Sequence, residues 1–283
     1  MTIKSEFKRN MGIMNENEQE LLANTRVAIA GAGGVGGIHA LTLARLGVGK
    51  FVIADPDEFE LVNINRQFGA THRTVGRKKA EVIAEMLADI NPEADIRVIA
   101  DRIEQKNVDA FLEDVDIYVD GIDFFEIDAR RTVFNSCRNK GIFALTAAPL
   151  GFGATLQVFV PEGMGFDEYF GIDDDTDYNE RVAAFAVGLA PNPYHAQYMD
   201  FSRVSIENRT GPAVSAACTL AASLVATEVT KIVTGKGEIR PVPCYLQADL
   251  LLNKYDLGCM EQGGKSPQQL VKRKMILEKF LGT

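Results

Sequence analysis

Three observations predict an α/β fold, a Rossmann-like, mostly parallel sheet with helices on both faces. Short apolar runs alternate with helical patterns through the first half of the chain. A glycine cluster joins the first of these runs to a helix, and acidic residues stand at the ends of two later runs. Beyond Phe152 the alternation stops, so the C-terminal part is expected to extend the sheet with antiparallel strands.

Arg26–Ala30 (RVAIA) is the first predicted strand, followed by glycines and a helix over 39–46. FVIA, at 51–54, is the second strand. Over 76–90 the apolar residues Val82, Ile83, Met86, Leu87 and Ile90 recur with a helical period that stops at Asn91-Pro92. Strands follow at 96–99 and 115–119, then a helix over 129–140 ending at Gly141, then a strand at 142–145. ATLQVFV, at 154–160, reads as a strand that turns antiparallel. The stretch 161–209 carries no long period, and its run Asp173-Asp174-Asp175-Thr176-Asp177 reads as a solvated loop. Residues 213–233 match a membrane span in length, but they are rich in Ala, Ser and Thr and include Glu228 and Lys231. They read as a helix buried inside the domain. Two short strand-like pieces around 242–248 and a basic amphipathic tail helix over 266–283 complete the chain.

No linker divides the sequence, so one domain is expected over 1–283. It comprises an N-terminal helical arm (1–25), a nucleotide-binding half (26–150), a substrate or crossover region (151–210), and a core helix with late strands and tail (211–283). The 283 residues are 46% hydrophobic and 24% charged, a balance that excludes general disorder. The formal net charge of −9 disfavours a general nucleic-acid or anionic-membrane binder. The basic tail residues Lys265, Lys272, Arg273 and Lys274 keep a tRNA substrate open. The 4 cysteines, Cys137, Cys218, Cys244 and Cys259, form no C-x-x-C pair. Neither a disulfide framework nor a structural zinc site is expected, and a reducing cytoplasmic setting fits. MTIKSEFKRNMGIMNENEQE lacks the apolar core of a secretory signal.

Gly31, Gly33 and Gly36, with Gly34 between them, form G-x-G-x-x-G after a strand and before a helix, and Asp55 ends the next strand. Glycines let backbone amides approach a phosphate, the helix N-terminus favours negative charge, and the carboxylate suits ribose hydroxyls. A nucleotide is therefore expected, either a nicotinamide dinucleotide for hydride transfer or ATP for nucleotidyl transfer. None of His39, His72 and His195 stands in a recognisable proton relay, and His39 reads as a packing residue. Asn63, Arg66 and Gln67 lie just past the second strand, and Lys79 begins the next helix. Paired cations beside a phosphate loop suit a triphosphate, because they neutralise charge at the α-phosphorus and on departing pyrophosphate. Asp120 and Asp123 fall at the end of a later strand, where ligands bind in such folds; Asp120 reads as orienting a turn and Asp123 as a Mg²⁺ ligand.

R-x-A-I-A-G-A-G-G-V-G-G, D-P-D, V-N-I-N-R-Q-F, V-G-R-K-K-A, I-N-P and D-G-I-D occur in that order. With the late GPAVSAACTLAASLVATEVTKIVTGKG, this sequence resembles the ThiF/MoeB family of ubiquitin-activating-enzyme-like adenylyltransferases from about Phe7 to Gly235. The resemblance implies that Gly34 lies under the phosphates and that Asp55, with Asp57 in the same D-P-D, serves the nucleotide. It implies that Asn63, Arg66 and Gln67 stand at the triphosphate, that Lys79 stabilises the transferring phosphate, and that Asp123 holds Mg²⁺. It also implies that Arg9 reaches the ATP of a partner subunit in a homodimer. The implied activity is ATP- and Mg²⁺-dependent adenylation of a carboxylate: the C-terminus of a small ubiquitin-like or sulfur-carrier protein, a peptide, or a small molecule.

The chain departs from that pattern in three ways. It lacks the paired C-x-x-C motifs of zinc-bearing members, it has no cysteine within 161–209 for a covalent relay, and Phe124 follows Asp123 where Asn or Ser is common. A nicotinamide- or flavin-linked oxidoreductase and a catalytically silent nucleotide-binding partner subunit are the other readings. The helix over 213–233 reads as apolar on nearly every face, with Ala and Ser positions that let a second subunit approach, so a symmetric dimer is expected.

Overall fold

The computed structural model describes residues 3–205 and 208–281. After a 3₁₀ turn at Ser5–Asn10 come α1 (Glu16–Asn24), β1 (Arg26–Ala30), α2 (Gly36–Leu46), β2 (Lys50–Ala54), α3 (Lys79–Ile90) and β3 (Asp95–Ile99). α4 (Val108–Phe111), β4 (Ile117–Asp120), α5 (Ile127–Lys140), β5 (Phe143–Thr146), β6 (Pro149–Leu150) and β7 (Gly153–Phe159) follow. α6 (Phe166–Phe170), α7 (Tyr178–Leu189), α8 (Ser215–Thr234), β8 (Cys244–Asp249), β9 (Lys254–Cys259) and α9 (Pro267–Ile276) complete the fold.

The strands form one 9-stranded sheet in the order β3-β2-β1-β4-β5-β7-β8-β9, with β6 paired to β7. β3, β2, β1, β4 and β5 run parallel. From the β5–β7 pair outward the sheet is antiparallel. Strand alternation sorts the core into two layers. Val27, Ile29, Phe51, Ile53, Ile117 and Val119 pack beneath α1, α2, α3 and α8. Ala28, Ala30, Val52, Tyr118 and Ala144 turn to the opposite face, with Phe134, Phe166 and Phe185 from α5, α6 and α7. The predicted architecture, covered on both faces, is the observed one.

Several local expectations need correction. The region 161–209 contains α7, a helix of 12 residues. Val182, Ala183, Ala184, Phe185, Val187, Gly188 and Leu189 are all buried there, so the segment has no polar stripe to show a period. Asp177, read as part of a solvated run, caps this helix by accepting the Glu180 N–H. α3 begins at Lys79, because Gly76 adopts φ +82° and the chain turns before the helix starts. The two late strand pieces are one hairpin, β8 and β9, whose second strand lies wholly beyond 248. In that hairpin Cys244 and Cys259, 15 residues apart, stand opposite each other and are disulfide-bonded. Separation in sequence was the wrong guide, since an antiparallel turn brings such residues face to face.

α8 buries Ala217, Cys218, Ala221, Ala222, Val225 and Val229 against β7 and α2. It is not apolar all round: Ser215, Thr219, Ser223 and Thr227 are exposed on its outer side. The last three donate their hydroxyls to carbonyls one turn back, a pattern that leaves the face polar in composition but self-satisfied. The tail is helical over Pro267–Ile276 and continues as a π-turn at Leu277–Leu281. The ends of the expected arm and tail, 1–2 and 282–283, lie outside the described residues, as do 206–207 of the crossover region.

Candidate active site

The four glycines from the end of β1 to the first residue of α2 divide into two pairs by what a side chain would meet. A Cβ on Gly31, which has φ +88°, would sit 2.0 Å from the Gly121 carbonyl oxygen, and one on Gly36 would sit 1.7 Å from the Gly31 oxygen. These two are required by backbone packing. A Cβ on Gly33 would meet nothing nearer than Gln67 Nε2 at 3.5 Å, and one on Gly34 nothing nearer than Cys218 Sγ at 3.7 Å. The protein's own packing therefore does not explain Gly33 or Gly34. Their missing side chains leave a cradle at the start of α2, whose N-cap residue Val35 makes no side-chain cap bond. The N–H groups of the first turn of α2 remain for an anion.

The walls of this cradle come from three elements. Gln67 is buried, and its Oε1 has no partner among the described residues. A buried acceptor left in this state marks a place where a ligand or water belongs. Arg66 is half-buried; its Nη1 donates to the Val62 carbonyl and to Asn65 Oδ1. Its charge acts on Cys218, whose thiol burial pushes up to about 11. Asn65 in turn donates to the Ala213 carbonyl just before α8, tying the polar stretch to the helix that closes the cradle.

Asp55, 5% exposed at the end of β2, accepts the Ala32 N–H at 2.6 Å and the Asp57 N–H at 2.8 Å. Burial raises its carboxyl above the ordinary range, opposed by the Ala32 N–H bond and by the charge of Lys79. Each oxygen keeps a lone pair for a ribose hydroxyl. Lys79 Nζ lies 3.2 Å from Asp57 Oδ2, and its side chain is 10% exposed. Asn63 spends its Oδ1 on the Glu60 N–H, shaping the turn that presents Arg66 and Gln67.

Across the cleft, Asp120 ends β4 and orients a turn, as the sequence reading expected. Its Oδ1 accepts the Ile122 N–H at 3.1 Å and its Oδ2 accepts Arg130 Nε at 2.7 Å and Thr146 Oγ1 at 2.8 Å. Asp123 is exposed and accepts the Phe125 N–H on Oδ1 at 3.0 Å. Phe124 packs on Phe125 and Phe185 beside it. Glu126, on the same turn, holds Arg102 at 2.6 Å and Arg209 of the crossover region at 2.7 Å. A second anchor fixes that region, where Tyr198 OH donates to Asp249 and accepts the Phe152 N–H, both at 2.7 Å.

The structure thus gathers Gly31, Gly33, Gly34, Gly36, Asp55, Asp57, Arg66, Gln67 and Lys79 along one rim, with Asp123 on the turn that packs against Gly31. Arg9 is not among them. It is exposed beside the C-terminal end of α2, where Phe7 abuts Gly47 and Asn10 donates to the Leu46 carbonyl. The 11 residues of α2 put roughly 16 Å between that end and the cradle. His39 is fully buried on α2, in keeping with a packing role, although neither ring nitrogen has a partner among the described residues. Sequence reasoning missed Cys218, which carries no signal of its own, and Arg130, whose only signal is its place one helical turn into α5 after the acidic turn.

Compared with models of known protein families, residues 7–269 match the one described as the ThiF family. A tRNA threonylcarbamoyladenosine dehydratase from Bacillus subtilis is 41% identical over 91 residues, 32% of this chain and 36% of that protein. The sulfur carrier protein ThiS adenylyltransferase of Escherichia coli is 31% identical over 143 residues, 50% of this chain and 56% of that protein. The chain spans about half the length, or less, of such curated relatives. A crystal structure of E. coli MccB with ATP superposes with a TM-score of 0.69 at 23% identity, covering 95% of this chain and 74% of that one. At that identity the likeness establishes the fold.

Proposed function

This chain belongs to the ThiF family, and from that premise we propose that it is an ATP- and Mg²⁺-dependent adenylyltransferase that activates a carboxylate. The observation that carries the reading is the cradle at Gly33 and Gly34, two glycines that no backbone clash requires and that Gln67 and Arg66 flank. ATP would lay its phosphates over these glycines and the first turn of α2, with its ribose on Asp55.

The acceptor's carboxylate oxygen attacks the α-phosphorus. A new P–O bond forms, the bond from the α-phosphorus to the bridging oxygen breaks, and pyrophosphate leaves with that electron pair. Arg66 and Lys79 neutralise the charge that builds on the phosphates, and the fixed turns hold the reactants in line. Among the described residues no three carboxylate, His or Cys groups converge as a metal cage. Mg²⁺ characteristically takes one or two carboxylates plus substrate phosphates, so a single exposed Asp123 with one oxygen uncommitted fits it. Bound there, the ion would offset phosphate charge.

For the acceptor we favour the C-terminal carboxylate of a small carrier protein or peptide. Support comes from the names of similar proteins, the ThiS adenylyltransferase and MccB crystallised with MccA, and from a net charge of −9 that gives RNA little attraction. We also propose a homodimer in which Arg9 serves the partner's cradle, since its own lies at the far end of α2. The test is ATP–pyrophosphate exchange screened against small carrier proteins and C-terminal peptides, with thermal shift by ATP–Mg²⁺ set against NAD⁺ and NADP⁺. Acceptor-dependent exchange and the larger shift with ATP are expected. Preferential stabilisation by a nicotinamide dinucleotide would overturn the reading, and exchange supported by tRNA alone would reassign the acceptor.

A further inference from the structure

Arg130 takes hold of the turn that carries Asp123. It lies on α5 and is 2% exposed. Its Nε donates to Asp120 Oδ2 at 2.7 Å, while its Nη2 donates to the carbonyls of Ile122 and Asp123, the latter at 3.2 Å. The face of its guanidinium lies 4.4 Å from the ring centroid of Phe185, which is 1% exposed on α7. The same ring packs on Phe124, with centroids 5.4 Å apart. From the opposite side, Gly121 donates its N–H to the Ala30 carbonyl at 2.9 Å, and a Cβ there would strike the Gly31 oxygen at 2.4 Å. The turn is therefore pressed against the glycine loop on one side and pinned by Arg130 on the other.

A buried ion pair alone needs one contact between charges. Here one guanidinium spreads its donors over a carboxylate and two successive carbonyls, the two that flank the Cα of Asp123 in the chain. A planar fork fixes orientation as well as distance, which a lysine ammonium at the same charge does not. Groups that orient a ligand through a hydrogen bond set its affinity without touching the metal.

We propose that Arg130 is a positioning residue, which fixes the Asp123 carboxylate for the metal–triphosphate, with Phe185 holding the guanidinium in plane from the crossover helix. The inference rests on the adenylation reading. In the absence of ligand the Phe125 amide, which donates to Asp123 Oδ1, reports the carboxylate's position.

The test uses the full chain, Arg130→Lys, the milder Phe185→Leu, and Asp123→Asn as reference. Calorimetric titration with ATP is done once with Mg²⁺ and once with EDTA. Hydrogen exchange at the Phe125 amide is followed in the ligand-free protein. Arg130→Lys should bind ATP in EDTA within about twofold of the parent, yet lose about tenfold of the gain that Mg²⁺ gives, as Asp123→Asn does. Phe185→Leu should lose a smaller part of that gain, and both should speed exchange at Phe125. An unchanged Mg²⁺ gain in either Arg130→Lys or Phe185→Leu would overturn the proposal. Equal weakening with and without Mg²⁺ would do the same, since it marks a purely structural role. If Arg130→Lys does not fold, Phe185→Leu decides by the same two readouts. A parent that binds no ATP would instead sink the adenylation reading and this one with it.

Discussion

Cys218 and Gly34 face each other across the glycine cradle, with the thiol sulfur 3.7 Å from where a Cβ on Gly34 would stand. The first turn of α8 thus forms a wall of a site whose floor is nearly two hundred residues earlier in the chain.

From that geometry, Gly34→Ala and Gly36→Ala should behave oppositely. An alanine at 34 meets only ordinary van der Waals contact, so the melting temperature should hold while the ATP–Mg²⁺ shift disappears. At 36 the new methyl would fall 1.7 Å from a backbone oxygen, with a cost at or above the ~1–3 kcal/mol typical of overpacking. Thermal scans with and without ATP–Mg²⁺ separate the two. A Gly34→Ala protein that keeps its full ATP shift would remove the phosphates from this loop.

Lys79→Ala should lower pyrophosphate exchange by about a hundredfold, the scale of losing a transition-state charge partner. Because Lys79 is paired with Asp57 at 3.2 Å in the free protein, Asp57→Ala should remove that partner and leave the lysine in place beside Asp55. It should cost far less activity than Lys79→Ala. Equal losses in the two variants would mean that the ion pair, rather than the lysine, is what catalysis needs.

His39 gives a pH dependence with a definite sign. Burial drops its folded-state pKa from 6.5 to about 3. Below about pH 6.5 the unfolded chain gains a proton that the folded protein excludes, so stability falls as pH falls, and continues to fall toward pH 3. At about pH 5.5 the loss from this group is about 1.3 kcal/mol relative to pH 7. Urea unfolding at both pH values should show a loss in the parent larger by about this amount than in His39→Leu, since His195, which burial also lowers, contributes equally to both.

Much of this was legible beforehand because it is local. Arg26–Ala30 emerged as a strand and the glycine motif as its exit because apolar runs, glycines and helix stops act on near neighbours. The positions of Asp55 and Asp120 at strand ends followed from the same pattern. What was not legible depends on partners far along the chain. Cys244 meets Cys259 only because a hairpin folds. α7 hid because burial on most sides erases its period, and Arg130 gains its meaning only where α5 passes the 120–123 turn.

Subunit mixing tests the proposed homodimer. Arg9→Ala and Lys79→Ala proteins should each be nearly inactive alone. Allowed to exchange, they should recover part of the activity, since one site in each mixed dimer would carry both lesions and the other neither. No recovery despite proven exchange would take Arg9 out of the partner's site.

The change of strand direction between β5 and β7 has a consequence for how such a protein diversifies. Every residue assigned to ATP within one chain lies before that seam, on loops that leave parallel strands. The antiparallel strands, the crossover region and its anchors at Tyr198 and Asp249 lie after it. On the proposed adenylation reading, the acceptor side can be retailored by insertion or by new surface chemistry, provided that Cys218 at the cradle wall and Phe185 against Arg130 are kept. Grafting a foreign acceptor region at the 147–152 connection would be the natural way to redirect this chain to a new substrate.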